Sequence, residues 1–135
     1  MTSGYSGTPL AKKLSLKGGM RVWWDGMPAS VEEEIGAEGL QLQLLRELEA
    51  PIDAAHIFVT ERAELQTKLE RLLPLLDRVG MIWVSWPKKA SKVPSDITED
   101  VIRDVCLPMH LVDVKVCSVD DIWSGLKLVI RKEHR

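Results

Sequence analysis

The sequence predicts an α/β protein with a mostly parallel sheet covered by helices on both faces. Short apolar runs alternate along the chain with segments of helical periodicity, and this alternation favours parallel strands joined by right-handed crossovers. The last two predicted strands are separated only by a turn-bearing link, which adds an antiparallel hairpin. With 135 residues, 45% of them hydrophobic and 28% charged, we expect one domain over 1–135, with residues 1–7 as a mobile N-terminal segment.

The front half is predicted as short elements divided by glycine and proline. A short helix over residues 10–14 leads into a strand over 20–25. Ser30 and Glu33 have the spacing of a capping box, in which the glutamate reaches back to the start of the helix. Residues 40–44 alternate between apolar and polar, which is typical of a strand with one wet face.

Longer elements follow. The apolar run within 56–60 predicts a strand buried on both faces, and Thr60 is expected to cap the next helix. Leucines recur at helical spacing from Leu65 onward, and the pattern extends to Val79, with Gly80 as its end.

The last third is predicted as a strand, a helix and a hairpin. Residues 81–86 form a second buried strand, after which Asp96 and Glu99 have capping-box spacing and open a helix. The strand over 112–117 carries three valines on one face, and the strand over 125–131 pairs with it.

This order of elements resembles the Rossmann-like fold of S-adenosylmethionine-dependent methyltransferases, cut down at the front. In that fold the last strand lies antiparallel beside its predecessor. The resemblance implies the strand order 40–44, 20–25, 56–60, 81–86, 125–131, 112–117. Ligands of open parallel sheets bind beyond the carboxyl ends of the strands, where the strand order reverses. That point is expected between the second and third strands of this order.

Six residues at this edge form the candidate binding site: Asp25, Gly26, Thr60, Trp86, Lys88 and Lys89. Lysines at a carboxyl edge can hold an anion, and Trp86 can stack on a ring. The favoured interpretation is plainer: Trp86 packs in the core and both lysines are solvated. The neighbouring tryptophans Trp23 and Trp24 are expected on opposite faces of their strand.

The cofactor motif of the fold is incomplete. Residues 24–30 (WDGMPAS) contain one glycine where a dinucleotide or methyl-donor site needs several, and Pro28 lacks a backbone donor. Gly26 is therefore interpreted as a turn glycine, and Glu47 or Glu49, which could imitate a ribose-binding acid, as part of a solvated acidic loop. The sequence favours a non-catalytic binding or protein-interaction module for a small anionic ligand or a partner protein. A degenerate methyltransferase, with S-adenosylmethionine as its cofactor, is the alternative.

The charge of the chain and its histidines and cysteines restrict the remaining classes of function. A net charge of -2 gives no global field for nucleic acid, so a weak nucleic-acid binder is only a second alternative. Its lysines would be Lys12, Lys13, Lys88, Lys89 and Lys92. Neither a P-loop nor a nucleophile elbow is present, and the histidines and cysteines lack metal-ligand spacing, so no protein-built metal site is expected.

The sequence also predicts the location of the protein. No run approaches the ~20 apolar residues of a membrane span, and no export signal opens the chain. We therefore expect a cytoplasmic protein without membrane contact, with Cys106 and Cys117 as buried free thiols.

Several strings resemble a family of short, uncharacterised bacterial proteins. They are residues 4–14 (GYSGTPLAKKL), 86–91 (WPKKAS), 95–103 (SDITEDVIR), 112–117 (VDVKVC) and 123–126 (WSGL). The resemblance covers nearly the whole chain and implies a bacterial cytoplasmic protein, without implying an activity. Residues 23–28 (WWDGMP) depart from the more aliphatic run expected there.

Overall fold

The structure is a computed structural model that describes residues 7–135. The expected mobile segment 1–7 lies, apart from Gly7, outside the described residues. So do the first three residues of the string at 4–14.

In the part of the chain that the structure describes, six strands form one sheet in the order β2-β1-β3-β4-β6-β5. Their bounds are β1 Arg21–Asp25, β2 Gln43–Leu44, β3 Ile52–Phe58, β4 Leu76–Pro87, β5 Leu111–Ser118 and β6 Trp123–Ile130. Strands β1 to β4 pair in parallel with one another, whereas β6 is antiparallel to both β4 and β5. The predicted strand order and the closing hairpin are therefore confirmed, as is the Rossmann-like α/β class.

The described residues form four α-helices that cover the sheet: α1 Leu10–Lys13, α2 Ala29–Gly36, α3 Arg62–Leu72 and α4 Glu99–Cys106. Residues of α3 and α4 pack in one core, which we call the α3–α4 face, and residues of α1 and α2 pack in a second core, the α1–α2 face. Because strand side chains alternate, Trp23 packs on the first face and Trp24 on the second, as predicted. Within residues 7–135, no helix is long and apolar enough to cross a membrane.

Three predictions for the elements before α3 are corrected. The capping box at Ser30 and Glu33 is wrong, because α2 begins at Ala29 directly after Pro28 and no side chain caps it. Pro28 is the N-cap of this helix, with an extended backbone (ψ 146°) and no side-chain acceptor for the first amides. The predicted strand 40–44 shrinks to two exposed residues in β2, and β3 begins at Ile52 rather than at residue 56.

The helix predicted to reach Val79 ends earlier. Helix α3 stops at Leu72, a 3-10 turn follows, and β4 begins at Leu76, so Val79 lies 79% exposed. Pro74 explains this end, because its ring lacks a backbone donor and clashes with the carbonyl four residues before it. Gly80 belongs to β4 rather than to a helix end.

The predicted caps of α3 and α4 are also corrected. Thr60 does not cap α3, whose N-cap is Glu61 and lacks a side-chain bond. The N-cap of α4 is Thr98, whose hydroxyl oxygen accepts from the Val101 amide. Asp96 instead accepts from the Arg62 amide at 2.7 Å. The acid predicted to cap α4 therefore satisfies an orphan donor at the start of α3.

The three valines of β5 do not share a face. The pairing of β5 with β6 shifts register between Asp113 and Lys115. Val114 lies at this bulge, so the side chains beyond it change face. Val114 and Val116 are each 54% exposed.

Candidate functional site

The order of the sheet reverses between β1 and β3, as the sequence predicted. The chain leaves β1 for β2 on one side and returns to β3 on the other. Asp25, the last residue of β1, pairs with Ile57 near the end of β3. The carboxyl ends of these two strands are thus the place where an open α/β sheet binds ligands.

Gly26 makes the turn at this edge. Its φ is +72°, in the left-handed region that glycine adopts without strain. A Cβ there would lie 3.4 Å from the carbonyl oxygen of Phe58. The turn after β1 therefore lies directly against the end of β3, and any larger residue would be strained.

Asp25 is held by helix α3. Its Oδ1 accepts from the Lys68 ammonium at 2.9 Å, and Lys68 also lies 3.4 Å from Glu64 Oε2. Sequence reasoning missed Lys68, although the i,i+4 spacing of Glu64 and Lys68 was visible as a helical ion pair. The carboxylate nearest the switch point is already paired with a cation of the same chain.

A small hollow lies beside this ion pair. Trp23, Asp25, Leu48 and Lys68 are among its lining residues, and its cavity volume is about 10 Å³. Leu48 comes from the link between β2 and β3 and packs on the α3–α4 face. Small-molecule sites usually measure roughly 300–1,000 Å³. An S-adenosyl group therefore does not fit this hollow while the Leu48 and Lys68 side chains occupy their present positions.

Both backbone polar groups of Thr60, the N–H and the carbonyl, form hydrogen bonds. Its N–H donates to Glu64 Oε1 at 3.2 Å. Its carbonyl oxygen accepts from the Ser95 hydroxyl at 2.8 Å and from the Asp96 amide at 3.2 Å. Thr60 therefore ties the segment before α4 to the end of β3.

The remaining candidate residues divide into core and surface. Trp86 is 8% exposed and belongs to the core on the α3–α4 face, so the favoured interpretation of this residue is confirmed. Lys89 is exposed, as that interpretation expected. The structure places both residues at the carboxyl end of β4, with Trp86 facing away from solvent.

Lys88 is not a solvated lysine, and the favoured interpretation is wrong for it. Its ammonium donates to the Ser118 hydroxyl and to the Asp120 carbonyl, each at 2.6 Å. Its backbone N–H donates to the Ile122 carbonyl at 2.7 Å. Lys88 therefore joins the end of β4 to the β5–β6 turn, and the distant acceptors could not be foreseen from local sequence.

A second feature absent from the predicted site is a buried pair. His56 Nε2 lies 2.7 Å from Ser85 Oγ, and both side chains are buried. Burial lowers the pKa of His56 from 6.5 to about 3. No substrate reaches this pair through the described structure, because His56 is only 1% exposed and Ser85 is fully buried.

The two thiols differ in burial. Both cysteines are free; Cys106 is buried and Cys117 is half-buried. Desolvation raises the pKa of Cys106 to about 11 and also raises the pKa of Cys117. Over the described part of the chain, no three His, Cys, Asp or Glu residues come together as metal ligands do.

Solved methyltransferase structures are similar to this chain in fold. No family model matches the chain, and a comparison with curated proteins finds no match. A SAM-dependent methyltransferase from Aquifex aeolicus is similar at 18% identity and a TM-score of 0.62, over 90% of this chain and 88% of that one. Magnesium protoporphyrin IX methyltransferase from Synechocystis, solved with bound SAM, is similar at 13% identity and a TM-score of 0.57, over 90% and 76%.

A precorrin methyltransferase from Geobacter metallireducens is also similar, at 11% identity and a TM-score of 0.59, over 90% of this chain and 85% of that one. These identities are low, so the similarity establishes the fold. The chain has the methyltransferase-like Rossmann architecture that its element order indicated.

Proposed function

We propose that this chain is a reduced methyltransferase-fold protein that binds an S-adenosyl compound at the carboxyl edge between β1 and β3. The strongest support is that two features of the sheet occur together at that edge. The strand order reverses there, and the left-handed Gly26 forms the turn after β1. The same architecture recurs in methyltransferases over 90% of the chain. The comparisons thus favour this hypothesis over the non-catalytic module that the sequence favoured.

Binding at this edge requires the segment between β2 and β3 to move away from the hollow. The hollow has a volume of about 10 Å³, and Leu48 is one of its walls. Residues 45–51 contain no helix or strand, so withdrawal of Leu48 breaks no strand pairing. We therefore expect the affinity to include the free energy of removing Leu48 from its packed position.

Calorimetric titration with S-adenosylmethionine and with S-adenosylhomocysteine tests the proposal. We expect Leu48→Ala to strengthen binding severalfold, because the hollow is then open before the ligand arrives. Leu44→Ala is the matched control, since Leu44 lies in neighbouring β2, is 52% exposed and does not line the hollow. Gly26→Val is expected to abolish binding. Absence of heat with either ligand, for the natural chain and for Leu48→Ala, contradicts the proposal.

A non-catalytic module for a small anion or a partner protein is the second candidate. The pairing of Asp25 with Lys68 and the small size of the hollow favour it. Under this hypothesis both S-adenosyl titrations are silent. The candidate edge then offers Lys89 as its exposed cation, since Lys88 is engaged with Ser118 and Asp120.

A further inference from the structure

Five lysines surround the segment that joins α1 to β1: Lys12, Lys13, Lys17, Lys115 and Lys127. None of their ammonium groups lies within 4.0 Å of a carboxylate oxygen in residues 7–135. Two of them donate to backbone carbonyls instead, Lys13 to Ser118 at 2.7 Å and Lys115 to Lys13 at 3.1 Å. The positive charge gathered here therefore has no anionic partner in the described part of the chain.

Three of these lysines line an open hollow of about 560 Å³ on the α1–α2 face, which we call the basic hollow. Its walls include Lys12, Ser15, Lys17, Glu38, Leu40 and Lys127. Glu38 is the one acid among the described residues that line it, so their side chains carry a net charge of +2. The volume lies within the range of small-molecule sites, roughly 300–1,000 Å³.

Lys127 is the most constrained cation of the basic hollow. It extends from β6, is half-buried, and its ammonium lies 3.3 Å from the Ser15 hydroxyl oxygen. Burial lowers its pKa, and the positive charges of Lys115 and Lys17 lower it further. An anion in the hollow would relieve this repulsion and accept hydrogen bonds from the ammonium groups.

We propose that the basic hollow binds a small molecule carrying two or more linked phosphates. Three lysines line it and have no carboxylate partner within residues 7–135. A linked phosphate group has enough charge and oxygen acceptors to engage several of them together. Ser15, whose left-handed φ of +60° is unusual for a residue other than glycine, offers a further hydroxyl. Lys17 and Leu40, which line the basic hollow, come shortly before the first residues of β1 and β2. The hollow therefore lies toward the amino ends of the parallel strands, away from the S-adenosyl edge, and does not depend on the proposed function.

The concave shape favours a small ligand over a nucleic-acid strand. A nucleic-acid strand binds along a row of cations on an open surface, through many contacts to its phosphates. Here the cations line one cavity, and the whole chain has a net charge of -2. Binding of nucleic acid is therefore a contrary outcome of the test.

Titration calorimetry at about 50 mM salt, where charge interactions are weakly screened, provides the test. The probes are inorganic triphosphate, a nucleoside triphosphate and inorganic monophosphate. We expect both triphosphates to bind and monophosphate to bind at least tenfold more weakly. Equal binding of the two triphosphates assigns recognition to the phosphate chain, whereas tighter binding of the nucleoside triphosphate adds recognition of the nucleoside. Either result supports the proposal.

Substitutions then locate the site. Lys127→Gln is expected to weaken triphosphate binding at least tenfold, and Lys127→Arg to restore most of it. Lys12→Gln, at an exposed lysine of the same hollow, is expected to weaken triphosphate binding as well. This variant tests the site even if Lys127→Gln disturbs folding. Lys89→Gln is the matched control, because it removes the same charge from the other edge of the sheet and is expected to change binding less than twofold.

Three results overturn the proposal. The first is no triphosphate binding by the natural chain. The second is equal weakening by Lys127→Gln and Lys89→Gln, which indicates general charge attraction. The third is a short oligonucleotide that binds more tightly than triphosphate. Binding of S-adenosyl compounds is expected to be the same in Lys127→Gln, so failure of this proposal is distinct from failure of the proposed function.

Discussion

His56 Nε2 and Ser85 Oγ lie 2.7 Å apart in the buried centre of the sheet, between β3 and β4. The imidazole stacks on Phe58 with ring centroids 4.5 Å apart, and Trp83 and Trp24 lie within 6.5 Å. Its other nitrogen, Nδ1, is buried and has no hydrogen-bond partner among residues 7–135. Because the surroundings are aromatic and apolar, burial in the folded protein disfavours the charged form of this histidine.

This neutral histidine makes stability depend on pH. Burial lowers the pKa of His56 from 6.5 to about 3 in the folded protein, whereas the unfolded chain takes up a proton below about 6.5. The unfolded state therefore binds more protons between these values. The contribution to stability is complete above the unfolded pKa and is lost as pH falls toward 3, by at most about 1.4 kcal/mol per pH unit.

Urea denaturation of the natural chain and of His56→Leu, at about pH 7 and about pH 4, measures this effect. The difference in unfolding free energy between the two proteins is expected to shift by about 3 kcal/mol in favour of the variant at the lower pH. Ser85→Ala keeps the histidine buried and is expected to retain most of the pH dependence. A pH dependence identical in the natural chain and His56→Leu contradicts the prediction.

Gly80 is expected to tolerate no side chain. A Cβ at this position would lie 2.9 Å from the Ile52 carbonyl oxygen and 3.0 Å from that of Asp77. Both neighbours are backbone atoms, so Gly80→Ala must move the strand and is expected to cost about 1–3 kcal/mol. Gly36→Ala is the control, because nothing lies within 4 Å of its Cβ position. Thermal unfolding of both variants tests this, and equal melting temperatures would refute it.

Lys88 is expected to act as a structural link between β4 and the β5–β6 turn. Lys88→Met removes two hydrogen bonds of 2.6 Å, to Ser118 and Asp120. Since the side chain is half-buried, we expect a loss of about 1–2 kcal/mol. Lys89→Met, at the exposed neighbour, is expected to stay within about 0.5 kcal/mol. Chemical denaturation measures the free energy of unfolding of both variants. Equal losses in the two variants would show that the hydrogen bonds of Lys88 add no stability beyond that of an exposed lysine.

The strand order was predictable because it depends on features repeated along the whole chain. Apolar runs such as 56–60 and 81–86 mark central strands, and alternation with helices restricts their connections. Capping boxes were predicted poorly, because Ser30 and Asp96 match a local pattern without standing at the N-cap positions. Pro28 is the N-cap of α2, which has no side-chain cap, and Thr98 caps α4 in place of the aspartate.

The position of the switch point in the sheet was predictable, and the contacts around it were less so. The switch point follows from topology, and Gly26 takes the left-handed turn that its sequence context suggested. The partners of Lys88 and Asp25 come from residues 30 and 43 positions away in the chain. Such pairs depend on tertiary packing, which no local spacing of one sequence records.

Cys106 is expected to be chemically silent in the folded protein. Its side chain is buried, and burial raises the pKa of its thiol to about 11, so about one thiol in a thousand is ionised at about pH 8. The Cys117→Ser variant isolates Cys106 for reaction with an aromatic disulfide reagent.

We expect the labelling of Cys106 in this variant to follow opening of the structure, because the thiolate is the reactive form and the folded core excludes the reagent. The rate is then expected to rise by orders of magnitude through the urea unfolding transition. Labelling of the folded variant as fast as the unfolded chain would mean that the core around α4 opens freely, which is inconsistent with the packing of Ile102 and Val105 against the sheet.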